Sequence, residues 1–376
     1  MTLSIDARAK EMKAAGLNVI GFGAGEPDFP TPQHICDAAK EAIDLGMTRY
    51  TPAAGTKELR KAICEKLRRD NDMTYTYGDI LVSNGAKHSL FNIFQAILDP
   101  GDEVLIPTPC WVSYPELVRM AGGVPVFIPA TEETNFIPTN KDIASRVTRR
   151  TKAIVITSPS NPNGSVWEQE QLQFVADLAV SHPFFVVSDE IYEKLIYDGR
   201  KHLSIAQLGE QIKSQTFLVN GVSKAYAMTG WRIGYVAGPR NVISAMSSFQ
   251  SQATSNPNSI AQYAAMKALQ GDQSCVDAMV AQFEKRRDAM VEKINAIPGL
   301  SCRKPQGAFY IMMNIKQMLG KHYDGRMIES SLDFAELLLA EKQVALVPGV
   351  AFEAEGYCRL SYAVSMENIL EGLSRI

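Results

Sequence analysis

Three short segments, in this order along the chain, carry side chains able to do covalent and proton-transfer chemistry. They are Ser158-Pro159-Ser160-Asn161-Pro162-Asn163-Gly164, then Ser188-Asp189-Glu190-Ile191-Tyr192, then Ser223-Lys224 followed by Arg232. Lys224 offers an amine that can bond an aldehyde, and Asp189 a carboxylate that can hold a ring nitrogen protonated. Asn161 and Tyr192 offer hydrogen bonds to a ring oxygen, and Arg232 a planar cation for a phosphate. A lysine is most often a solvated surface charge. Here Val219-Asn220-Gly221-Val222 before it and Ala225-Tyr226-Ala227-Met228 after it form a small, apolar setting. Such a setting depresses an amine's pKa and favours the neutral nucleophile.

The elements that must hold these groups follow from the pattern of apolar runs. Between about residues 50 and 240, Ile80-Leu81-Val82, Glu103–Ile106, Val124–Ile128, Ala153–Ile156, Phe184–Val187, Phe217-Leu218-Val219 and Ile233–Ala237 alternate with helical stretches such as 168–180. That rhythm predicts an α/β fold, a mainly parallel seven-stranded sheet with helices on both faces, its strands buried on both sides. Asp189 then falls at the carboxyl end of a buried strand, where such sheets bind ligands; a helix N-cap is the other common use of Asp at that place. Gly85-Ala86-Lys87 lies between a strand ending at Asn84 and a helix starting near His88, so its backbone N–H groups are expected to face an anion. Asp99-Pro100-Gly101-Asp102 reads as a turn. Beyond about Asn241 the character changes: a helix from about 276 to 297, a strand at Gly307–Met312, and further elements to the terminus predict a smaller α+β domain. The expected division is a large domain over 36–274 and a small one over 1–35 and 275–376.

Composition narrows the function classes. The 376 residues are 46% hydrophobic and 21% charged, with a formal net charge of −3, and the basic residues are scattered, so no nucleic-acid partner is expected. Six cysteines without CxxC spacing predict neither a zinc knuckle nor a redox pair, and no metal site is expected. The opening Met1-Thr2-Leu3-Ser4-Ile5-Asp6 lacks the pattern of a secretory signal, and no apolar run reaches the roughly 20 residues that span a bilayer, so a cytoplasmic protein is expected.

The order and spacing of these motifs resemble the class I aminotransferases, the fold-type I enzymes of pyridoxal 5′-phosphate, over nearly the whole chain. The resemblance implies the fold of that group and assigns roles residue by residue. Lys224 would bind the cofactor aldehyde and then shuttle a proton. Asp189 would face the ring nitrogen, Tyr192 and Asn161 the ring's O3′ oxygen, and Arg232, Ser223 and the Gly85-Ala86-Lys87 turn the phosphate. Gly221 stands where many relatives carry a serine that also meets the phosphate. Trp111, in Cys110-Trp111-Val112-Ser113-Tyr114-Pro115, matches the aromatic that stacks on the ring, and a core tryptophan is its plain structural reading. Tyr50 matches the tyrosine that reaches the partner subunit's phosphate, which implies a homodimer with shared sites.

The same resemblance speaks to the substrate. Arg359, in Cys358-Arg359-Leu360-Ser361-Tyr362, would clamp the α-carboxylate common to all amino acids, with Gly25 of Gly23-Ala24-Gly25-Glu26-Pro27-Asp28 adding a backbone N–H. Segment 251–257 has no arginine, so the partner-derived arginine of one aspartate aminotransferase branch is absent. Lys87 stands where the Ib branch carries a lysine for the distal carboxylate. The implied reaction is ping-pong transfer of the amino group of aspartate to 2-oxoglutarate. An aromatic, kynurenine or prephenate aminotransferase is the nearest alternative, followed by a β-lyase acting on sulfur amino acids and by a non-catalytic binding protein on the same scaffold. The chain starts closer to the Gly-Glu-Pro-Asp motif than many relatives do, so the amino-terminal segment that often helps close the site is expected to be shortened or absent, and the residues lining the entrance near Ile5 are not matched to the family.

Overall fold

The computed structural model describes residues 2–323 and 325–376; the side chains of residues 1–6, Ile5 among them, lie outside what it describes. All seven expected runs are strands of one sheet: β1 (Ile80–Ser83), β2 (Glu103–Thr108), β3 (Val124–Pro129), β4 (Thr151–Thr157), β5 (Phe185–Asp189), β6 (Thr216–Gly221) and β7 (Gly234–Ala237). Their order is β1-β7-β6-β5-β4-β2-β3. Neighbours from β6 to β3 pair in parallel, whereas β7 is antiparallel to both β1 and β6. Parallel strands need a long crossover, but an antiparallel return can be made by a loop. The loop that makes this return, residues 222–233, carries Lys224 and Arg232 and therefore opens at the carboxyl ends of β4, β5 and β6.

Strands β1, β5 and β6 are buried along most or all of their length, as their apolar runs require, while β3 at the sheet edge is largely solvent-accessible. The expectation of burial on both faces holds inside the sheet and fails at its edge. Helices pack by periodicity. In Ala86–Ile97, Leu90, Ile93, Phe94 and Ile97 form one buried stripe, and in Gln169–Ser181, Leu172, Val175, Ala176 and Ala179 do the same. The second begins at Glu168, whose capping box with Gln171 ends the preceding loop. The first begins at Ala86, two residues earlier than the sequence suggested, because Gly85 at φ +86° turns the chain directly into the helix. The 99–102 turn closes through the Asp102 N–H to the Asp99 carbonyl at 3.0 Å.

A second, four-stranded antiparallel sheet is ordered Val347–Pro348, Tyr357–Ser361, Tyr310–Asn314, Ser301–Cys302. The long helix Ser274–Asn295 lies where 276–297 was expected, and its Phe283, Met290 and Ile294 share a core with Phe309, Ile311, Leu360 and Ile369. Residues near the amino terminus join this region: Ile20–Gly21 pairs with Val344–Ala345, and the Ser361 N–H donates to the Phe22 carbonyl at 2.7 Å. The segment after Phe22 then crosses to the mouth of the large sheet. No helix among the described residues is long and apolar enough to cross a membrane.

Candidate active site

The carboxyl edge of the large sheet and one face of the smaller sheet enclose a cleft of about 520 Å³, lined among others by Trp111, Asp189, Lys224, Arg232 and Arg359. Three loops meet there because three strands end there: Asn161 follows β4, Asp189 closes β5, and Lys224 follows β6 in the loop that carries Arg232 into the antiparallel β7. Gly25, Ala86, Lys87, Tyr192 and Ser223 line the same space.

Asp189 is buried, at 3% exposure, and has only neutral hydrogen-bond partners. One oxygen accepts from the Tyr114 hydroxyl at 2.7 Å and the other from the Ile191 N–H at 3.2 Å. The second contact is the local turn cap that an Asp at a strand end often makes; the first ties the carboxylate to a phenol that also lines the cleft. Tyr114 is steadied by Thr157 at 2.7 Å, and Thr157 is also the register neighbour of Asp189 across β4 and β5. Burial raises the Asp189 carboxyl to about 6, against the pull of these donors. A cationic ring nitrogen beside it would supply the counter-charge that the chain itself does not.

Lys224 is half-buried at the cleft floor, where its Nζ donates to the Gly25 carbonyl and lies 5.8 Å from the ring centroids of Tyr192 and Phe309. Removal from water lowers the amine to about 8; the Glu26 carboxylate resists this, while Arg359 and Arg232 add to it. A substantial neutral fraction near neutral pH suits a nucleophile and a proton carrier.

The anion corner is built from Arg232, the start of the helix Ala86–Ile97, and Lys87. Arg232 sits in the left-handed region at φ 58°, its guanidinium held by the carbonyls of Thr229 at 2.9 Å and Asn84 at 3.1 Å. Its approach requires glycine at 85, since a Cβ there would lie 2.2 Å from the Arg232 Nη2. A Cβ on Gly234 would likewise lie 2.2 Å from the Ala86 nitrogen. Gly221 is constrained in the same way, a Cβ meeting the Ile233 carbonyl oxygen at 2.8 Å. Lys87, in the first helical turn, rests 4.8 Å from the Trp111 ring centroid, and burial together with Arg232 lowers its amine. Two cations at a helix N-terminus oppose the helix dipole unless an anion joins them. A phosphate dianion fits this corner, as a protonated heteroaromatic ring fits Asp189.

Arg359 lies in the central strand of the smaller sheet, 7% exposed, between the rings of Tyr310 at 4.4 Å and Phe352 at 4.9 Å. Its Nη1 donates to Asn161 Oδ1 at 3.0 Å and its Nη2 to the Gly23 carbonyl at 2.9 Å, while Nε is buried without a partner. No carboxylate pairs with it among the described residues. A desolvated guanidinium stacked in a fixed plane and lacking a counter-ion is a receptor for a carboxylate. Tyr192, 4% exposed, bonds the Tyr310 hydroxyl at 2.9 Å.

Tyr50 stands apart from the other expected residues: it is 91% exposed and does not line the cleft. Gly85 supports the corner from behind. Several lining residues were given no role by the sequence: Tyr114, Thr157, Glu26, Thr229, Tyr310 and Phe352. Tyr114 had a local signal, three residues after Trp111 at the start of the helix Ser113–Met120, and Glu26 lies inside the Gly-Glu-Pro-Asp segment. Tyr310 read only as part of a strand, and nothing local marked Phe352.

Residues 18–376 match the family model described as aminotransferase class I and II. The chain is 49% identical over 375 residues to the aspartate aminotransferase of Bacillus sp. (strain YM-2), covering 100% of this chain and 95% of that protein. It is 46% identical over 378 residues to the aspartate/prephenate aminotransferase of Nitrosomonas europaea, covering 100% and 95%. The solved structure of the aspartate aminotransferase from Rhizobium meliloti superposes with a TM-score of 0.96 at 46% identity, covering 99% of this chain and 94% of that one. This chain is therefore a member of the class I and II aminotransferase family.

Proposed function

We propose that the protein transfers the amino group of aspartate to 2-oxoglutarate in two half-reactions, with pyridoxal 5′-phosphate as the cofactor of its family. The observation that carries this reading is a set of charges in one cleft, Asp189, Lys224, Arg232 and Arg359, that have no opposite charge bonded to them in the chain. Bound pyridoxal phosphate supplies an aldehyde that takes up an amino group and a protonated ring that draws electrons from the substrate α-carbon.

The chain's own residues do the rest. Arg359 holds the substrate α-carboxylate in its stacked plane, and Asn161 keeps that guanidinium in place. Lys224, with its lowered pKa, anchors the cofactor aldehyde between turnovers and takes the proton from the substrate α-carbon. Asp189, kept in place by Tyr114, holds the ring nitrogen charged, and Tyr192 with Asn161 faces the ring oxygen. Arg232, Ser223 and Ala86 would hold the phosphate, with Gly85 behind them admitting Arg232, and Trp111 would cover the ring. Lys87, 4.8 Å from the Trp111 ring centroid, would take the distal carboxylate of aspartate and 2-oxoglutarate. Two of the relatives' features support the wider assignment: full-length identity near one half and an almost superposable structure.

The exposed Tyr50 fits a second copy of the chain contributing to each site, so the working unit is a homodimer. The large domain spans 36–274 and the small one 1–35 with 275–376, which puts Arg359 and Lys224 on different bodies. A cytoplasmic location fits the six free cysteines. An aromatic or prephenate substrate is the second reading, favoured by the name of the Nitrosomonas relative and by the apolar Trp111 face beside Lys87. A panel of amino donors against 2-oxoglutarate decides between them. Aspartate should give the highest kcat/KM; an aromatic donor ahead of aspartate would overturn the substrate assignment.

A further inference from the structure

One buried hydroxyl in the cleft has no part in the chemistry above. Tyr310 is 1% exposed, begins the strand Tyr310–Asn314, and lies diagonally across from Arg359, whose register partner is Met312. Its hydroxyl is 2.9 Å from the Tyr192 hydroxyl, and its ring lies under the Arg359 guanidinium at 4.4 Å. Tyr310 thus touches both the phenol assigned to the cofactor oxygen and the cation assigned to the substrate carboxylate. Tyr192 and Tyr310 each have one proton to donate. If Tyr192 gives its proton to Tyr310, none is left for the cofactor; if Tyr310 gives its proton to Tyr192, the Tyr192 proton is free to point into the cleft. The nearby Arg359 charge favours the second arrangement, because a cation against a phenol ring makes its O–H the better donor.

We propose that Tyr310 is a positioning residue that donates to the Tyr192 oxygen and so commits the Tyr192 proton to the cofactor ring oxygen. This inference rests on the proposed cofactor site. Donation into Tyr192 polarises its O–H, and chains of hydrogen bonds strengthen one another. A carboxylate on Arg359 cancels the cation's pull and weakens the relay, so substrate binding is sensed at the cofactor oxygen through a phenol that touches neither reacting atom.

The test uses the holoenzyme and the pH titration of the bound cofactor's visible absorbance. In Tyr310→Phe, which keeps the ring and removes the hydroxyl, the midpoint should rise by about half to one pH unit. The Kd of succinate, an unreactive dicarboxylate, should stay within about twofold, and the midpoint shift that succinate causes should shrink. In Tyr310→Leu, which removes the ring, succinate affinity should fall by about tenfold. Adding Tyr310→Phe to Tyr192→Phe should move the midpoint no further than Tyr192→Phe alone, an outcome a purely structural role would not give. A Tyr310→Phe holoenzyme with the wild-type melting temperature and an unmoved midpoint would overturn the relay alone. A wild-type chain that takes up no pyridoxal phosphate would overturn the cofactor site and the relay with it.

Discussion

Buried charge is handled in two opposite ways in this molecule. Behind the helix Lys57–Asn71, Lys66 pairs with Glu193 and bonds Asn71 at 2.7 Å, and Asn71 in turn donates to Glu193 at 3.0 Å. On the long helix, Arg287 is fully buried and forks onto Asp198 at 2.8 and 2.9 Å. In the cleft, Asp189 is met by a phenol and an amide N–H, and Arg359 by an amide oxygen and a carbonyl. A buried charge with only neutral partners costs stability. The first region keeps its charges paired within the chain, and the second leaves them for charges brought by ligands.

Substitutions separate the two regions. Glu193→Gln breaks the tighter ion pair of the buried Lys66 ammonium and leaves it Asp70 at 3.9 Å as counter-ion, and should destabilise the fold by about 3–5 kcal/mol, measured by denaturant unfolding of the cofactor-free chain. Arg359→Met should leave the melting temperature of the cofactor-free chain unchanged or raised, while kcat/KM for aspartate falls by roughly 10²–10³-fold. Equal losses of stability from both variants would erase the distinction.

Asp189 sharpens it through pH. Its folded carboxyl is raised from 3.8 to about 6, so between those values the native state binds more protons than the unfolded chain. The contribution of Asp189 to the stability of the cofactor-free protein should therefore be greatest below about pH 4 and fall by roughly 2–3 kcal/mol as pH rises through 6. Asp189→Asn should remove that slope, and saturating pyridoxal phosphate should flatten it. A wild-type profile that instead improves from pH 4 to 6, after subtraction of the Asn variant, would mean the carboxylate is already paired. The smallest expected effect belongs to Lys87, whose replacement in Lys87→Thr should cost dicarboxylic donors about tenfold in kcat/KM and aromatic donors less than half of that in logarithmic terms. Matching losses would remove Lys87 from the side-chain pocket.

Much of this was legible in the sequence, for identifiable reasons. The inner strands are short runs apolar at every position, which only a sheet covered on both faces explains, and so Asp189 and Lys224 could be placed at strand ends. The exposed edge strand β3 differs because tertiary position, not composition, decides its burial. Residues that act from their own loop, such as Lys224 and Arg232, carry local signals. Tyr310 and Phe352 do not: they matter because Tyr310, on a neighbouring strand of the second sheet, and Phe352, in the turn before the strand Tyr357–Ser361, both pack on Arg359. Tyr114 lies between these cases, its helical position readable but its bond to Asp189 set only by the packing of β4 against β5.

The most direct test is borohydride reduction of the pyridoxal-phosphate-loaded protein, followed by peptide mapping. A single reduced attachment on Lys224, lost in Lys224→Ala, is expected. Reduction onto any other lysine, or an attachment that persists in Lys224→Ala, would contradict the assignment of this cleft.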